Sequence, residues 1–441
     1  MANTMSQNTR NEYLEMMRDR YRRYTGRQAR NKLITEFCEV TSHERKYAIK
    51  LLRQQRGPGS APPAKRGVHI TYGQEVIDVL FVIWSHSEQP CGKRLKPMLK
   101  EWLPHYQAHY GPLSQQTHDQ VLAISPAQID RVLSERKIGV SKRKPRTPKP
   151  NAAIKALVPI RAESWDAKEP GWLEADTVAH CGGHMAESFI WSLTVTDIFS
   201  GWTEVRPSWN RGQQNVLHAF SAIETQLPFT MLGVDTDNGG EFLNYHLHDH
   251  FTNRSRPIEM TRSRPYRKND QAHVEQKNDT HVRQLLGYDR LGHQSLLTLT
   301  WDLLEAWSLW RNLFTTSFKQ IETRRVGTRQ IRVHEKVPQT PCQRLIDHHR
   351  AQGNKAYAQQ LGHWRNHHDP FKLKAWIEEQ LRRIWDLNKE LECMDGASEL
   401  EKEESAEQIL TQAKNHSAPI KEVPTLKVLK PTKIRATKKI S

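Results

Sequence analysis

The chain has 441 residues, which exceeds one ordinary domain and predicts roughly three or four modules. Its 66 Lys and Arg against 49 Asp and Glu give a net charge of +17, which favours a polyanionic partner, although a ribosome-associated factor would carry a similar charge. Its five cysteines are far apart and no apolar run reaches about 18 residues, so the composition argues against a disulfide framework or a membrane span and predicts a cytoplasmic protein.

The first predicted module, residues 1–56, is helical and basic. Thr41-Ser42-His43-Glu44 fits a capping box, with Thr41 as the N-cap of a helix. A preceding helix, Lys32–Glu39, completes a helix-turn-helix outline. A solvated basic face on a small helical bundle is the alternative. Basic residues recur at spacings of three and four and predict a DNA-binding face formed by His43, Lys46, Lys50 and Arg53.

A second helical module is predicted for residues 67–138, after a linker rich in Gly and Pro. Helices are expected at 74–85 and 95–103, and a third starts at Ser125-Pro126, where Ser is the N-cap. This module either binds DNA or is purely structural. Residues 139–163 form an extended linker, which is either simply solvated or follows a phosphate backbone. Its basic residues predicted to contact DNA include Lys142, Arg143, Lys144 and Arg146.

From residue 164 to 315 the pattern changes to mixed α/β. Strands are expected at 172–177, 188–197, 202–206, 231–235 and 258–261, and helices at 213–226, 241–251 and 271–286. A hairpin followed by alternating helices and strands predicts a layered α/β fold with a mixed sheet. Residues 316–395 are predicted to form a C-terminal domain, in which the sequence of 346–395 is typical of helices, and residues 396–441 a basic disordered tail.

Three carboxylates form the candidate catalytic set. Asp176 lies on the first strand of the α/β domain, Asp237 follows a short apolar strand, and Glu275 lies on the helix expected to cross the sheet. Converging carboxylates cannot all stay charged without cations, which predicts two Mg²⁺ ions, or Mn²⁺ in their place, bound by this set.

Three other carboxylates compete for these positions. Glu174 and Asp235 stand two residues before Asp176 and Asp237, on the same strand faces, and Asp270 precedes Glu275. Asp237 is preferred over Asp235 because it adjoins the Asn-Gly-Gly turn, and Glu174 is set aside by the same reasoning. Asp270 fits a helix cap better than a metal ligand.

The stretch Asp-Asn-Gly-Gly-Glu-Phe at 237–242 and the pattern Asn269-x5-Glu275-x2-Asn278 resemble the second and third motifs of DDE transposases and retroviral-type integrases. The 37 residues between Asp237 and Glu275 are similar to the interval in that family. Asp197 matches a second-strand pattern that the family carries outside its metal set. The stretch at 339–345 is similar to the region after the core of bacterial insertion-sequence transposases.

This resemblance implies a bacterial transposase with an RNase H-like core, whose helical modules bind the terminal inverted repeats of a mobile element. Two or more protomers would assemble on double-stranded DNA in the nucleoid. The metal site would cleave DNA to expose 3′-hydroxyls and then transfer them to target DNA, without a covalent protein–DNA intermediate. A nuclease on the same fold and a DNA-binding regulator without strand transfer are the alternatives. Basic residues next to this chemistry are expected to hold the DNA ends: Arg264, Arg267, Lys268 and Lys277.

Overall fold

The computed structural model describes residues 7–53, 72–136, 167–263, 271–326 and 329–394. The chain divides into two compact units, Met1–Thr71 and Tyr72–Ser441. Each unit has its own cluster of buried apolar side chains. The finer domain boundaries expected from the sequence stay predictions.

The first unit is built from three helices around a small apolar core. Phe37 of the second helix, Met17 of the first and Leu52 of the third are at most 2% exposed, so the three helices bury one shared face. The prediction of a helical N-terminal region is confirmed. The helices are α1 (Gln7–Arg23), α2 (Arg27–Thr41) and α3 (Arg45–Arg53).

The predicted capping box at Thr41 is wrong. α2 runs through Thr41, whose hydroxyl donates to the carbonyl of Phe37 at 2.6 Å instead of accepting an amide of the next helix. This back-bond to the residue four positions earlier is a common alternative for a threonine in a helix. Ser42 then ends α2 with a left-handed φ of 55°, and α3 starts only at Arg45. His43 therefore lies in the turn before α3.

The second unit begins with four helices, and the two sharpest predictions for this region are confirmed. The helix expected at 74–85 is present, and the Ser125 hydroxyl accepts the amide of Gln128 at 3.2 Å as the N-cap of another. The helix expected at 95–103 is longer than predicted and continues through Pro104, because Trp102 and Tyr106 on its buried side pack into the core. The helices are α4 (Gln74–His86), α5 (Gly92–Tyr110), α6 (Gln115–Ala123) and α7 (Pro126–Leu133).

A mixed five-stranded sheet follows, as the sequence predicted. Its order is β3-β2-β1-β4-β5; the first three strands pair antiparallel, whereas β4 and β5 run parallel to β1. Every residue of β2 is buried, so both faces of the sheet are covered. The strands are β1 (Trp172–Ala179), β2 (Ile190–Asp197), β3 (Thr203–Trp209), β4 (Gly233–Thr236) and β5 (Glu259–Arg262).

Helices pack against this sheet. α8 and α12 contact β3, and α10 crosses β1 and β2. The helix expected at 271–286 is present in extent, but a π-helical turn, Asn278–Arg283, interrupts it between α10 and α11. The helices are α8 (Gln213–Gln226), α9 (Tyr245–Thr252), α10 (Ala272–Lys277), α11 (Gln284–Leu286) and α12 (Leu297–Phe314).

The C-terminal part of the second unit is a two-stranded ribbon followed by three helices. The ring of Trp364 stacks on that of Trp202 with centroids 6.3 Å apart, and these helices share the apolar cluster of the sheet. The elements are β6 (Gln320–Val326), β7 (Arg329–His334), α13 (Pro341–Ala351), α14 (Lys355–His367) and α15 (Pro370–Cys393).

Candidate active site

Asp176 and Asp237 lie side by side at one edge of the sheet. The parallel register of β1 and β4 pairs Ala175 with Thr236; Asp176 is the next residue on β1, and Asp237 is the first residue after β4. Side chains alternate along a strand, so both aspartates point to the face that Glu174 and Asp235 also occupy. The sequence placed them on neighbouring strands, and the register brings them together.

Glu275 approaches the same face from α10. Glu174, rather than acting beside Asp176, accepts the amides of His273 and Val274 at 3.1 Å each and so fixes the first turn of α10. Val274 is fully buried and anchors the helix, whereas Glu275 is exposed. The helix thus presents Glu275 close enough for its charge to act on Asp176.

The site concentrates negative charge. Burial, and next the charge of Asp237, raises the pKa of Asp176 to about 7; the charges of Glu275 and Glu241 act in the same direction. Burial also raises the pKa of Asp237 to about 6, although the amide of Gly239, at 2.8 Å, partly offsets the shift. A buried group of like charges favours either protons or a bound cation.

Glu241 is a fourth carboxylate of the site, and the sequence reasoning missed it. Its Oε1 atom accepts the Thr177 hydroxyl at 3.2 Å and faces a guanidinium nitrogen of Arg211 at 3.4 Å. A Cβ atom on Gly239 would lie 2.6 Å from the Glu241 carboxyl carbon and 2.8 Å from Oδ1 of Asp237. Gly239 is therefore needed for close approach of two carboxylates. The signal was present, because Glu241 lies in the same Asn-Gly-Gly-Glu turn.

Asn278 completes the inner side of the site at the start of the π-helical turn. Its amide nitrogen donates to Oδ2 of Asp176 at 2.7 Å. Its Oδ1 atom is buried and has no hydrogen-bond partner within the described part of the chain. A buried acceptor oxygen without a donor is costly, which marks this position as one where a cation or a water molecule would bind.

The donor set fits a hard divalent cation in its chemistry. Carboxylate and amide oxygens are the ligands that Mg²⁺ prefers, and the mutual repulsion of the carboxylates would be relieved by it. Across the described ranges, however, no three His, Cys, Asp or Glu side chains stand close enough together to hold a metal ion as they are. The described residues therefore supply the right kind of oxygen atoms, although they do not enclose a cation site as they stand.

The competing carboxylates have other partners. Asp235 is fully buried and accepts the Thr261 hydroxyl at 2.7 Å. Asp197 accepts the amides of Gly171 and Ser200 at 2.8 and 2.7 Å and stabilises the turn after β2, away from the carboxylate set. Asp270 lies outside the described residues.

The predicted DNA contacts all stay predictions, and the structure describes the positions of five of them. Lys46, Lys50 and Arg53 are exposed on α3, and His43 is half-buried before it. Lys277 is half-buried on α10, where burial and the charges of neighbouring arginines lower its pKa to about 7. The remaining predicted contacts lie outside the described residues: Lys142, Arg143, Lys144, Arg146, Arg264, Arg267 and Lys268.

The described residues thus form an α/β protein with a cluster of carboxylates at the edge of a mixed sheet. The chain belongs to the family of the uncharacterized protein y4rM of Sinorhizobium fredii, to which it is 38% identical over 341 residues, covering 77% of this chain and 96% of y4rM. No family model matches the chain. None of the described helices is long and apolar enough to cross a membrane.

A weak structural similarity extends to a chain of the cryoEM structure of the simian T-cell lymphotropic virus intasome in complex with PP2A regulatory subunit B56 gamma. It covers 42% of this chain and 59% of that chain at 16% sequence identity, with a TM-score of 0.23. A superposition of this quality does not define a shared fold.

Proposed function

We propose that this protein is a DDE-type DNA transposase with an RNase H-like catalytic core. The observation that carries the proposal is the convergence of Asp176, Asp237 and Glu275, in which the charges of Asp237 and Glu275 both raise the pKa of Asp176. The strand order, with an antiparallel trio followed by two parallel strands, supports the RNase H-like assignment.

The three carboxylates would hold two Mg²⁺ ions, for which Mn²⁺ would substitute. When bound, the metal pair would supply Lewis-acid activation of the attacking oxygen and would stabilise the leaving oxygen. The chain itself contributes orientation: Asn278 fixes Asp176 through its amide, and Glu174 holds the helix that carries Glu275. These contacts limit the movement of the ligands before DNA arrives.

The proposed reaction has two displacements at phosphorus. Water attacks a phosphodiester at the element end, and the 3′-oxygen leaves and is protonated to a hydroxyl. That hydroxyl then attacks a phosphodiester of target DNA, and the target 3′-oxygen leaves in its turn. No Ser or Tyr nucleophile is required, so no covalent protein–DNA intermediate is expected.

DNA-end binding is assigned to the helical first unit. Lys46, Lys50 and Arg53 are exposed and form one basic face of α3. This face supports a helix-turn-helix role for α2 and α3, in which α3 is the helix that contacts DNA. Two or more protomers would assemble on double-stranded DNA, since two ends must be joined together. The proposed setting is the bacterial cytoplasm, with the protein associated with the nucleoid.

The decisive experiment uses precleaved element ends, taken from inverted repeats in the DNA that flanks the gene, with Mg²⁺ and target DNA. The wild-type protein should yield joined product. Asp237→Asn should bind the ends with unchanged affinity and yield none, whereas Asp235→Asn should retain joining at a reduced level, because Asp235 bonds Thr261. Asp249→Asn, which changes an exposed carboxylate, is the matched control.

Each alternative has its own outcome. Cleavage by the wild-type protein without joined product at any concentration would favour a nuclease. End binding without cleavage would favour a regulator. Normal joining by Asp237→Asn would overturn the site assignment.

A further inference from the structure

Four helices of the second unit direct positive side chains toward one place, away from the carboxylates. These side chains, here called the cationic cluster, are Arg94 of α5, Lys277 of α10, Arg311 of α12 and Arg344 of α13. A Cβ atom on Gly201 would lie 3.5 Å from a guanidinium nitrogen of Arg344 and 4.0 Å from Nζ of Lys277, so both cations flank the same glycine.

The two other members reach the same place. Arg94 donates to the carbonyl of Thr316 at 2.8 Å, and Arg344 donates to the carbonyl of the next residue, Ser317, at 2.6 Å. The Arg311 guanidinium lies over the Trp307 ring, 5.2 Å from its centroid. That ring donates to the carbonyl of His281, one turn after Lys277, at 2.8 Å.

The positive charges of the cationic cluster are poorly compensated. Arg344 forms an ion pair with Glu335. Within the described part of the chain, however, neither the Lys277 ammonium nor the Arg311 guanidinium forms an ion pair or a side-chain hydrogen bond. Glu88, whose charge acts on Arg311, is engaged by Lys374. Arg94 likewise forms no ion pair in the described part of the chain, so three half-buried cations remain without a negative partner: Arg94, Lys277 and Arg311.

Half-buried like charges destabilise a fold unless an anion joins them. Arginine forks and a lysine ammonium suit the oxygens of a phosphate group. We propose that the cationic cluster binds one phosphate of the DNA backbone. The inference rests on the proposed function in naming DNA as the source of that phosphate.

One member of the cationic cluster lies on the helix that also carries the candidate metal ligand Glu275. Lys277 stands two residues after Glu275 on α10, so a phosphate bound there would be held across the helix from the carboxylates, on the order of 10 Å away. A phosphate held there would tie α10, the helix that carries Glu275, to the three other helices of the cluster.

The first test uses the protein alone, with inorganic phosphate as the probe. At about ten times its dissociation constant, phosphate should raise the melting temperature of the full chain by roughly 2 °C over chloride at equal ionic strength. Lys277→Met and Arg311→Met should lose this shift, yet be at least as stable as wild type in chloride, because a repulsion has been removed. Arg382→Met, exposed on α15, should keep the shift.

The second test measures DNA binding in the inactive Asp237→Asn background. Each of the two Met variants should weaken end binding roughly tenfold and reduce the salt dependence by about one ion. Replacing the contacted phosphate of the DNA by an uncharged methylphosphonate should weaken binding of the parent protein by the same factor. In the Met variants, which have already lost this contact, the replacement should cause no further loss. Absence of strand transfer by the otherwise wild-type protein, with this pattern of DNA binding intact, would count against the proposed function and leave this inference standing.

Three outcomes would overturn the inference. A phosphate shift retained in both Met variants would remove the site. Equal loss of stability in chloride and in phosphate would make the cluster structural. A lost phosphate shift with unchanged DNA binding would assign the site to free anions instead of DNA.

Discussion

Two pairs of carboxylates, each spaced two residues apart, divide their roles at the sheet edge. Glu174 caps α10 and Asp235 bonds Thr261, whereas Asp176 and Asp237 stand one step further along their strands, beside Glu241. The inner member of each pair is a structural group with protein donors, and the outer member carries a raised pKa. The hydrogen-bond partners of each carboxylate therefore distinguish the candidate metal ligands, Asp176 and Asp237, from their structural neighbours.

This division predicts opposite effects of two similar substitutions. Glu174→Gln should lower the free energy of unfolding by roughly 1–3 kcal/mol, because the two amides at the start of α10 lose a charged acceptor. It should also slow strand transfer about tenfold, since Glu275 is less well positioned. Asp176→Asn should leave stability unchanged or raised and abolish transfer. Urea unfolding and a joining assay on both variants check this, and an active Asp176→Asn protein would contradict it.

A buried histidine gives the second residue-scale prediction. His180 is fully buried beside Ser192, and burial lowers its pKa to about 3. The unfolded chain takes up a proton below about pH 6.5, while folded His180 stays neutral until about pH 3, so stability falls as the pH drops through that window. The contribution at pH 5 is about 2 kcal/mol.

His180→Gln cannot titrate and keeps a hydrogen-bonding group for Ser192, so urea unfolding from pH 7 to pH 4 should show a shallower loss of stability. Buried His281, whose pKa is also lowered by burial, will retain part of the slope. His363→Gln, exposed on α14, is the control and should leave the slope unchanged. A slope identical in all three proteins would refute the assignment.

Some residues of the site can be predicted from the sequence, and others cannot. Asp237 follows from a strand pattern that ends in a carboxylate, Asp176 from its place on a predicted neighbouring strand, and Glu275 from a helix expected to pack across the sheet. The orphaned oxygen of Asn278 depends on helix geometry that a 3.6-residue period cannot express. The cationic cluster joins residues from four helices that span more than 200 positions of the chain, from Arg94 to Arg344, so no local sequence pattern predicts it.

At the scale of elements, the π-helical turn after α10 is the feature with the clearest link to the site. One wide turn accommodates an extra residue in a helix, and such turns recur at functional sites. Here the turn starts at Asn278, whose amide holds Asp176. The buried faces on either side, at Val274 and Leu286, both stay in the core, so the extra residue is absorbed without displacing the helix.

Removing that extra residue should separate folding from function. Deletion of exposed Asp279 should convert the turn to regular α-helix and leave the unfolding midpoint unchanged or higher, because both buried faces keep their register. It should reduce strand transfer at least tenfold, since the Asn278 side chain rotates away from Asp176. Asp279→Ala is the matched control, which loses only an exposed contact with Gln284 and should stay active. Full activity of the deletion variant would show that the π turn is incidental.

Helices are predicted correctly from the sequence where the local signals for a helix agree with one another. α8 and the start at Ser125 are correct because periodicity and capping chemistry agree there. The capping box predicted at Thr41 is wrong because the Thr41 hydroxyl has two possible partners, the amides that follow it and the carbonyl of Phe37 that precedes it. Only the packing of α1, α2 and α3 decides between these partners. α5 extends beyond the predicted 95–103 because the burial of Trp102 and Tyr106 outweighs the cost of Pro104 inside the helix.

At the scale of the whole molecule, the chain contains two separate apolar cores. Among the described residues, the first has seven buried apolar side chains and is small, and the second spans the sheet and the helices from α4 to α15. A small core has little stability to spare, so the first unit should be the more easily unfolded of the two.

Phe37→Ala tests this separation. Phe37 is 1% exposed in the first core, and its loss should cost about 3–5 kcal/mol, enough to unfold a unit of this size. Calorimetry should show the weaker transition lost or lowered while the stronger one, from the second unit, stays in place. Specific end binding should disappear with it, yet joining of precleaved ends at high protein concentration should persist, because the carboxylates lie in the second unit. Exposed Lys32→Ala on α2 is the control, and a Phe37→Ala protein that loses both transitions would mean that the two cores unfold as one.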